Sequence, residues 1–220
     1  MRVVIAGGHG KIALLLERLL ADRGDSVAGL IRDPGQSADL VEAGAEPIVL
    51  DLEHATADQV AGAVRGADAV VFAAGAGPGS GAGRKETMDL GGAVLLADGA
   101  ERAGVRRYVM VSSIGAESRS ADDSLDPVFR AYLRAKAAAD ANVLPRAALR
   151  TTIVRPGGLT NEPGTAMVAI GDSVGHGSIP RADVAAVLLA VLDTPGTAGQ
   201  KFELISGGTP VAEAVARRAG

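Results

Sequence analysis

Two rhythms of apolar and polar residues alternate along this chain. Solid apolar runs of four or five residues give way to longer stretches in which apolar residues recur every three or four positions. The first rhythm is that of buried strands, the second that of amphipathic helices. The opening run, Val3-Val4-Ile5-Ala6, stops at Gly7-Gly8, and after Gly10 a helical pattern starts at once with Ile12, Leu15, Leu16 and Leu19. Further strands are expected at 27–31, 47–50, 69–73, 108–112 and 151–155, with shorter ones at 166–170 and 201–205. Helices are expected at 37–43, at 56–65 with Thr56 as N-cap, at 85–103, at 127–143 with Pro127 in its first turn, at 181–192 and at 211–218. The tract from Ala74 to Gly81 reads either as a low-complexity linker or as a loop over a ligand, and its place directly after a strand favours the loop.

Strands that are apolar throughout and alternate with helices predict a mostly parallel sheet covered on both faces. Right-handed crossovers then give an α/β, doubly wound, Rossmann-type architecture, with strand order 3-2-1-4-5-6 and one strand more at the edge. No repeat or composition break divides the chain, so residues 1–220 are expected to form one domain.

Composition narrows the function. Aromatics are only 2% of the 220 residues, so the core must be built from Val, Leu, Ile and Ala. A net charge of −4 without any basic block excludes a nucleic-acid footprint. The absence of cysteine excludes disulfides, thiol chemistry and zinc–thiolate sites, and no metal is expected. The N-terminal apolar run is too short for a signal peptide, and no segment approaches the roughly 18 apolar residues of a membrane span. A cytoplasmic protein acting on a small molecule is expected, with monomer and homodimer both open.

In a doubly wound sheet the ligand sits at the carboxyl ends of the strands. After the first strand, Gly7-x-x-Gly10-x-x-Ala13 is a variant of the dinucleotide fingerprint. A helix N-terminus offers unpaired N–H groups and a partial positive charge, and glycine lets a phosphate approach them. Gly7, Gly8, His9, Gly10, Lys11 and Ile12 are therefore expected around a pyrophosphate, with His9 a loop residue rather than a catalyst. It is not a Walker loop, because Ile5 and Ile12 stand where that loop needs Gly and Ser or Thr. Arg32, after the second strand, stands where a guanidinium accommodates a 2′-phosphate, so NADP(H) is expected in preference to NAD(H). Asp51 and Leu52, after the third strand, are placed to meet the adenine, although Asp51 reads equally as an ordinary helix-preceding Asp. Ala73, Ala74 and Gly75 end the fourth strand with side chains small enough for a nucleotide to lie against.

Ser112 and Ser113 end the fifth strand, and Tyr132 and Lys136 follow on a helix. Residues four apart share one helix face. An ammonium beside a phenol favours the phenolate and lowers its pKa toward working pH, as general acid–base chemistry requires. A serine hydroxyl at the neighbouring strand end would hold a substrate carbonyl. The catalytic set expected is Ser113, Tyr132 and Lys136.

These stretches together, GGHGKI, Arg32, Val111-Ser112-Ser113, Tyr132-Leu133-Arg134-Ala135-Lys136 and Ile153 to Thr165, resemble the atypical short-chain dehydrogenase/reductases. Within them the chain is most similar to the NAD(P)H-binding branch that is NmrA-like and like the biliverdin and flavin reductases. The resemblance covers essentially the whole chain, and Arg155-Pro156-Gly157-Gly158-Leu159 is its most specific part. It implies that Pro156, Gly157, Gly158 and Leu159 pass beside a nicotinamide, that Ser112 and Lys136 also contact cofactor, and that the part from about residue 156 adds a small substrate-binding region. The implied function is an NADP-dependent oxidoreductase acting on a small carbonyl, quinone or flavin-like substrate. The alternatives are a non-catalytic NAD(P)H-binding redox sensor and a sugar-nucleotide epimerase or dehydratase. The 19-residue Ser113-to-Tyr132 spacing is longer than in classical members, and the 64 residues after Pro156 are few for an epimerase's substrate domain.

Overall fold

Successive side chains of a strand point to opposite faces, and here both faces are covered. In β1 (Arg2–Ala6), Val3 and Ile5 join one core while Val4 and Ala6 join the other. β4 (Ala69–Phe72) and β5 (Arg107–Val111) divide in the same way: Val71 and Val109 face the first core, Phe72, Tyr108 and Met110 the second. That is why these runs, after the arginines that open β1 and β5, carry no charged residue. The computed structural model describes residues 1–77 and 79–219; Pro78, inside the expected Gly-rich loop, and Gly220 lie outside the described residues.

The other strands are β2 (Ser26–Ile31), β3 (Glu46–Val49), β6 (Arg150–Pro156), β7 (Gly158–Thr160), β8 (Met167–Gly171), β9 (Ser178–Pro180), β10 (Gln200–Ser206) and β11 (Thr209–Pro210). Among the described residues a nine-stranded sheet runs β11-β8-β10-β6-β5-β4-β1-β2-β3. It is parallel from β3 through β10. The expected order 3-2-1-4-5-6 is found, but the edge holds more than one further strand. β10 adds in parallel, then β8 and β11 in antiparallel. β8 and β10 bury only some of their residues, so their apolar signal is weaker than that of the central strands. β7 and β9 pair as a separate two-stranded sheet that no apolar run announces.

One face is covered by α1 (Lys11–Asp22), α7 (Arg181–Leu192) and α8 (Val211–Ala216), through Leu16, Leu20, Val184, Leu188 and Val215. The other is covered by α3 (Ala57–Val64), α5 (Ala93–Ala103) and α6 (Pro127–Val143), through Val60, Leu96 and Ala139; α2 (Ser37–Glu42) sits at the β3 edge. α3 starts in a capping box: the Thr56 hydroxyl accepts from the Gln59 N–H at 3.3 Å, and the Gln59 side chain accepts from the Thr56 N–H at 2.8 Å. α6 follows Pro127, its first turn held by the Asp126 carboxylate, which accepts from Val128 and Phe129 N–H at 2.9 and 3.0 Å. The helix expected at 85–103 instead begins earlier, with α4 (Ala82–Arg84), and winds as a π-helix over Lys85–Gly92 before α5. The wider turn brings Gly92 against Phe72 and buries Lys85, Met88 and Asp89. No helix among the described residues is long and apolar enough to cross a membrane.

One polar residue inside the first core breaks the pattern. Glu17 on α1 is fully buried, and neither carboxyl oxygen has a hydrogen-bond partner among the described residues. It fits because Gly8 and Gly29 carry no side chain: a Cβ on Gly29 would stand 2.6 Å from its Oε1. Burial pushes its carboxyl up from 4.5 to about 8. The unfolded chain loses this proton near pH 4.5 and the folded chain keeps it, so stability is greatest below pH 4.5 and falls as pH climbs toward 8. Glu17→Gln removes that dependence. Its gain over wild type in urea unfolding is expected to be near zero at pH 4.5 and on the order of 3 kcal/mol at pH 7. An equal shift at both pH values would separate the effect from ionisation.

Candidate functional site

The chain passes from β1 outward to β2 and β3, then returns to place β4 on the other side of β1. That reversal opens a crevice at the strand ends. Gly7 turns the chain there with φ +79°, a left-handed conformation that favours glycine. A Cβ on Gly7 would lie 2.6 Å from the Ala74 Cα, and one on Gly10 would lie 3.0 Å from the Gly7 carbonyl oxygen. Gly10 is the N-cap of α1 and offers no side chain to its first N–H groups. A cleft of about 530 Å³ opens over this turn, lined by Gly7, His9, Gly10, Lys11, Arg32, Asp51, Leu52 and Ala73 to Gly77. A cradle that any Cβ would narrow, ending in uncapped helix N–H groups, fits a pyrophosphate. Gly8 lies beneath it, packed on Gly29, and does not line the cleft.

Charged groups ring the cleft. His9 Nε2 lies 2.6 Å from an Asp39 carboxylate oxygen. Lys11 donates to Asn161 Oδ1 at 3.4 Å, which also accepts from Arg181 at 2.9 Å, so α1 is tethered to the segment after β7. Arg32 is half exposed and 3.7 Å from Glu53. Glu53 belongs chiefly to Arg84, which donates to it twice at 2.9 and 3.0 Å, and to the Thr87 hydroxyl at 2.7 Å. The Arg84 hydrogen bond, more than Thr87 or the charge of Arg32, holds the Glu53 carboxyl below the usual carboxylate range against its partial burial. Two guanidiniums share the Glu53 carboxylate, and Arg32 is the more loosely held of the two. Asp51 accepts from the Glu53 N–H at 3.0 Å and shapes the turn after β3.

A second cavity of about 480 Å³ shares the wall Ala73 to Gly77 with the first. Its other walls include Ile12, Lys85, Asp89, Val111, Ser112, Val128, Phe129, Tyr132, Lys136 and Leu159. The Tyr132 ring stacks on Phe129 with centroids 5.9 Å apart. Two ammoniums lie near it, Lys85 at 5.7 Å and Lys136 at 5.8 Å from its centroid. Lys136 is buried; it donates to the Val111 carbonyl at 3.1 Å and pairs with Asp89 at 3.2 Å. Burial opposes its charge, but Tyr132, Asp89 and Asp140 outweigh that and raise its pKa. The other tyrosine, Tyr108, is wholly buried with its hydroxyl on the Ala93 carbonyl, and belongs to the core.

The structure separates the two serines. Ser112 lines the cavity; its hydroxyl is buried behind the wall, near enough to Asp140 to favour that carboxylate. Ser113 lines neither cavity, and its hydroxyl donates to the Ile114 carbonyl at 3.1 Å. Of the stretch from Pro156 to Leu159, Leu159 alone lines a cavity. Gly157 is needed for close packing, since a Cβ there would stand 2.4 Å from the Gly177 carbonyl. Arg155 works behind the site. It pairs with buried Asp140 at 2.6 Å and with Glu117 at 2.8 Å, and Lys201 reaches Glu117 at 2.5 Å. The Arg155 and Lys201 hydrogen bonds hold the Glu117 carboxyl down to about 2 and fasten the segment after β5 to β6 and β10. Lys85, Asp89, Arg84, Glu53 and Phe129 escape the sequence reading. Lys85 and Asp89 look like the outer face of an ordinary helix, and the four-residue Lys85/Asp89 spacing was the one cue that they share a face.

A glycine-cradled helix N-terminus at the switch point of a parallel sheet, opening on two joined cavities, defines a dinucleotide-binding Rossmann protein. The chain belongs to the NAD(P)H-binding family, whose pattern matches residues 7–195. It is 38% identical over 216 residues to the Bacillus subtilis protein called uncharacterized sugar epimerase YhfK, covering 98% of this chain and 99% of that one. A solved structure from Bacillus halodurans, named for the NAD-dependent epimerase/dehydratase class, matches with a TM-score of 0.89 at 38% identity over 99% of both chains. The oxidoreductase ylbE from Lactococcus lactis matches with a TM-score of 0.84 at 26% identity, over 99% of this chain and 96% of that one.

Proposed function

We propose that the protein is an NADP(H)-dependent reductase of small planar carbonyl, quinone or flavin-like substrates. The observation that carries this reading is the continuity of the two cavities: a cleft suited to a dinucleotide shares a wall with an apolar cavity that presents Tyr132 and Ser112. In this reading the Gly7–Gly10 turn and the α1 N–H groups bind the pyrophosphate, with Lys11 adding charge nearby. Asp51 and Leu52 flank the adenine, and Ala73 to Gly75 give the nucleotide a smooth bed. The bound nicotinamide supplies the hydride. Tyr132 gives the proton to the substrate oxygen, and Lys136, fixed by Asp89 and Val111, stabilises the phenolate left behind. Ser112 is the serine we place beside that oxygen, in preference to Ser113, because it lines the cavity and Ser113 does not. Leu159 is the contribution of the region after residue 156 to the substrate pocket.

The names of the Bacillus relatives favour a second reading, a sugar-nucleotide epimerase. A sugar needs many hydrogen-bonding groups around its hydroxyls. This cavity offers few: its walls are largely Ala, Val, Leu, Ile and aromatic side chains, and Asp126 and Asp89 are already engaged. Oxidation of NADPH followed with a naphthoquinone and with flavin mononucleotide, beside product analysis of a nucleotide sugar for its epimer, decides between them, because epimerisation returns its hydride and consumes no NADPH. Quinone or flavin turnover is expected; turnover of the nucleotide sugar alone would replace the reductase reading. No turnover of any of them would favour the non-catalytic sensor.

Cofactor choice has its own test. Arg32 is held loosely by Glu53 and is free to meet a 2′-phosphate. Arg32→Ala is expected to weaken NADP(H) binding by about 1.5–3 kcal/mol, the scale of a hydrogen bond to a charged group, and NAD(H) binding little. Titrating both cofactors against both proteins measures this. Equal losses would remove Arg32 from the 2′-phosphate.

A further inference from the structure

We infer that Lys85 is the anion-recognising residue of the second cavity, and that its substrate is a planar, mostly apolar molecule carrying a carboxylate or a comparable anionic group. This deepens the reductase reading and rests on it for taking the cavity as the substrate site. Lys85 stands in the cavity wall on the π-helical segment and is only 9% exposed. Its ammonium donates to the Gly77 carbonyl at 2.9 Å, and no carboxylate among the described residues is within ion-pair distance of it. An ammonium has three protons to donate, and a buried one without counter-charge is costly.

The carboxylates nearby are committed elsewhere. Asp89, four residues on, pairs with Lys136 and accepts from the Ala76 N–H at 3.2 Å. Asp126 caps α6. Of the two lysines near the Tyr132 ring, Lys136 is therefore neutralised inside the protein and Lys85 is not. The surfaces beside Lys85 are flat or apolar: the stacked Tyr132 and Phe129 rings, Val128 and Leu159. Val128, Phe129 and Leu159 remain partly exposed. A lone ammonium set among such faces suits an aromatic or conjugated anion, with the ring system on the apolar walls and the charge on Lys85.

The test compares 2-naphthoate with 2-naphthamide, similar in shape and different in charge, by calorimetric titration with the dinucleotide cleft saturated by NADPH. Wild type is expected to bind the naphthoate about tenfold more tightly, the scale of one charge-assisted hydrogen bond. Lys85→Met keeps the length of the stem and should erase the preference, while Lys85→Arg should keep it. Lys85→Gln is the second charge-free variant, should Lys85→Met not fold. A wild type without the preference, or a preference that survives intact in a folded charge-free variant, overturns the assignment. The readout needs no turnover. A protein that reduces neutral quinones without this preference refutes the role of Lys85 alone, and one that shows the preference yet reduces nothing refutes the reductase reading alone.

Discussion

Tyr132→Phe is expected to lower reductase turnover by about 10²–10⁴, the range for a lost general acid, while NADP(H) affinity stays close to wild type. The substitution removes one oxygen and keeps the ring that stacks on Phe129 near Lys85 and Lys136. Packing and the charges around it are thus preserved, and the loss reads the proton alone. Lys136→Ala should behave differently. It leaves buried Asp89 without its ion-pair partner and the Val111 carbonyl without its donor, so stability, cofactor binding and turnover should fall together. Single-turnover reduction of a naphthoquinone by prebound NADPH measures the chemical step apart from binding. Turnover of Tyr132→Phe at the wild-type rate would place the proton source elsewhere and return the protein to the binding-only alternative for that substrate.

Gly10→Val is the second large effect. Gly10 has φ −67° and ψ 145°, extended backbone that valine adopts without strain. The fold should survive, with a thermal midpoint within a few degrees of wild type. What changes is the space over α1. A Cβ stands 3.0 Å from the Gly7 carbonyl, and the γ-methyls add bulk where a pyrophosphate must approach the helix N–H groups. NADP(H) affinity measured by nucleotide fluorescence should drop at least a hundredfold. A folded variant with unchanged affinity would mean that the phosphates lie away from this turn.

The central sheet was legible in the sequence because each inner strand is buried on both sides. Val70-Val71-Phe72 and Val109-Met110-Val111 leave no polar position to blur the run, and their order follows from crossover handedness. The Gly7–Gly10 turn was legible for a related reason, since a glycine pair closing an apolar run leaves few local alternatives. Where burial is partial, as in β8 and β11, the pattern weakened and the edge was underestimated. Ser112 and Ser113 are neighbours with the same side chain, and only the pleat of the strand end decides which of the two lines the cavity. Lys85 was hidden by a change of helical winding, which shifts side chains around the axis without any mark in composition. Glu17 was hidden because its room is made by Gly8 and Gly29, residues distant along the chain that simply lack side chains.

The wall that the two cavities share, Ala73 to Gly77, carries no side chain larger than a methyl group. The protein therefore supplies almost no partition of its own along that boundary. On the reading proposed above, whatever occupies the cleft becomes the floor of the neighbouring chamber. The consequence is one of kinetic sequence: the chamber acquires its final shape only on a protein already charged with dinucleotide, so addition should be compulsory and ordered, with the small molecule arriving second and departing first.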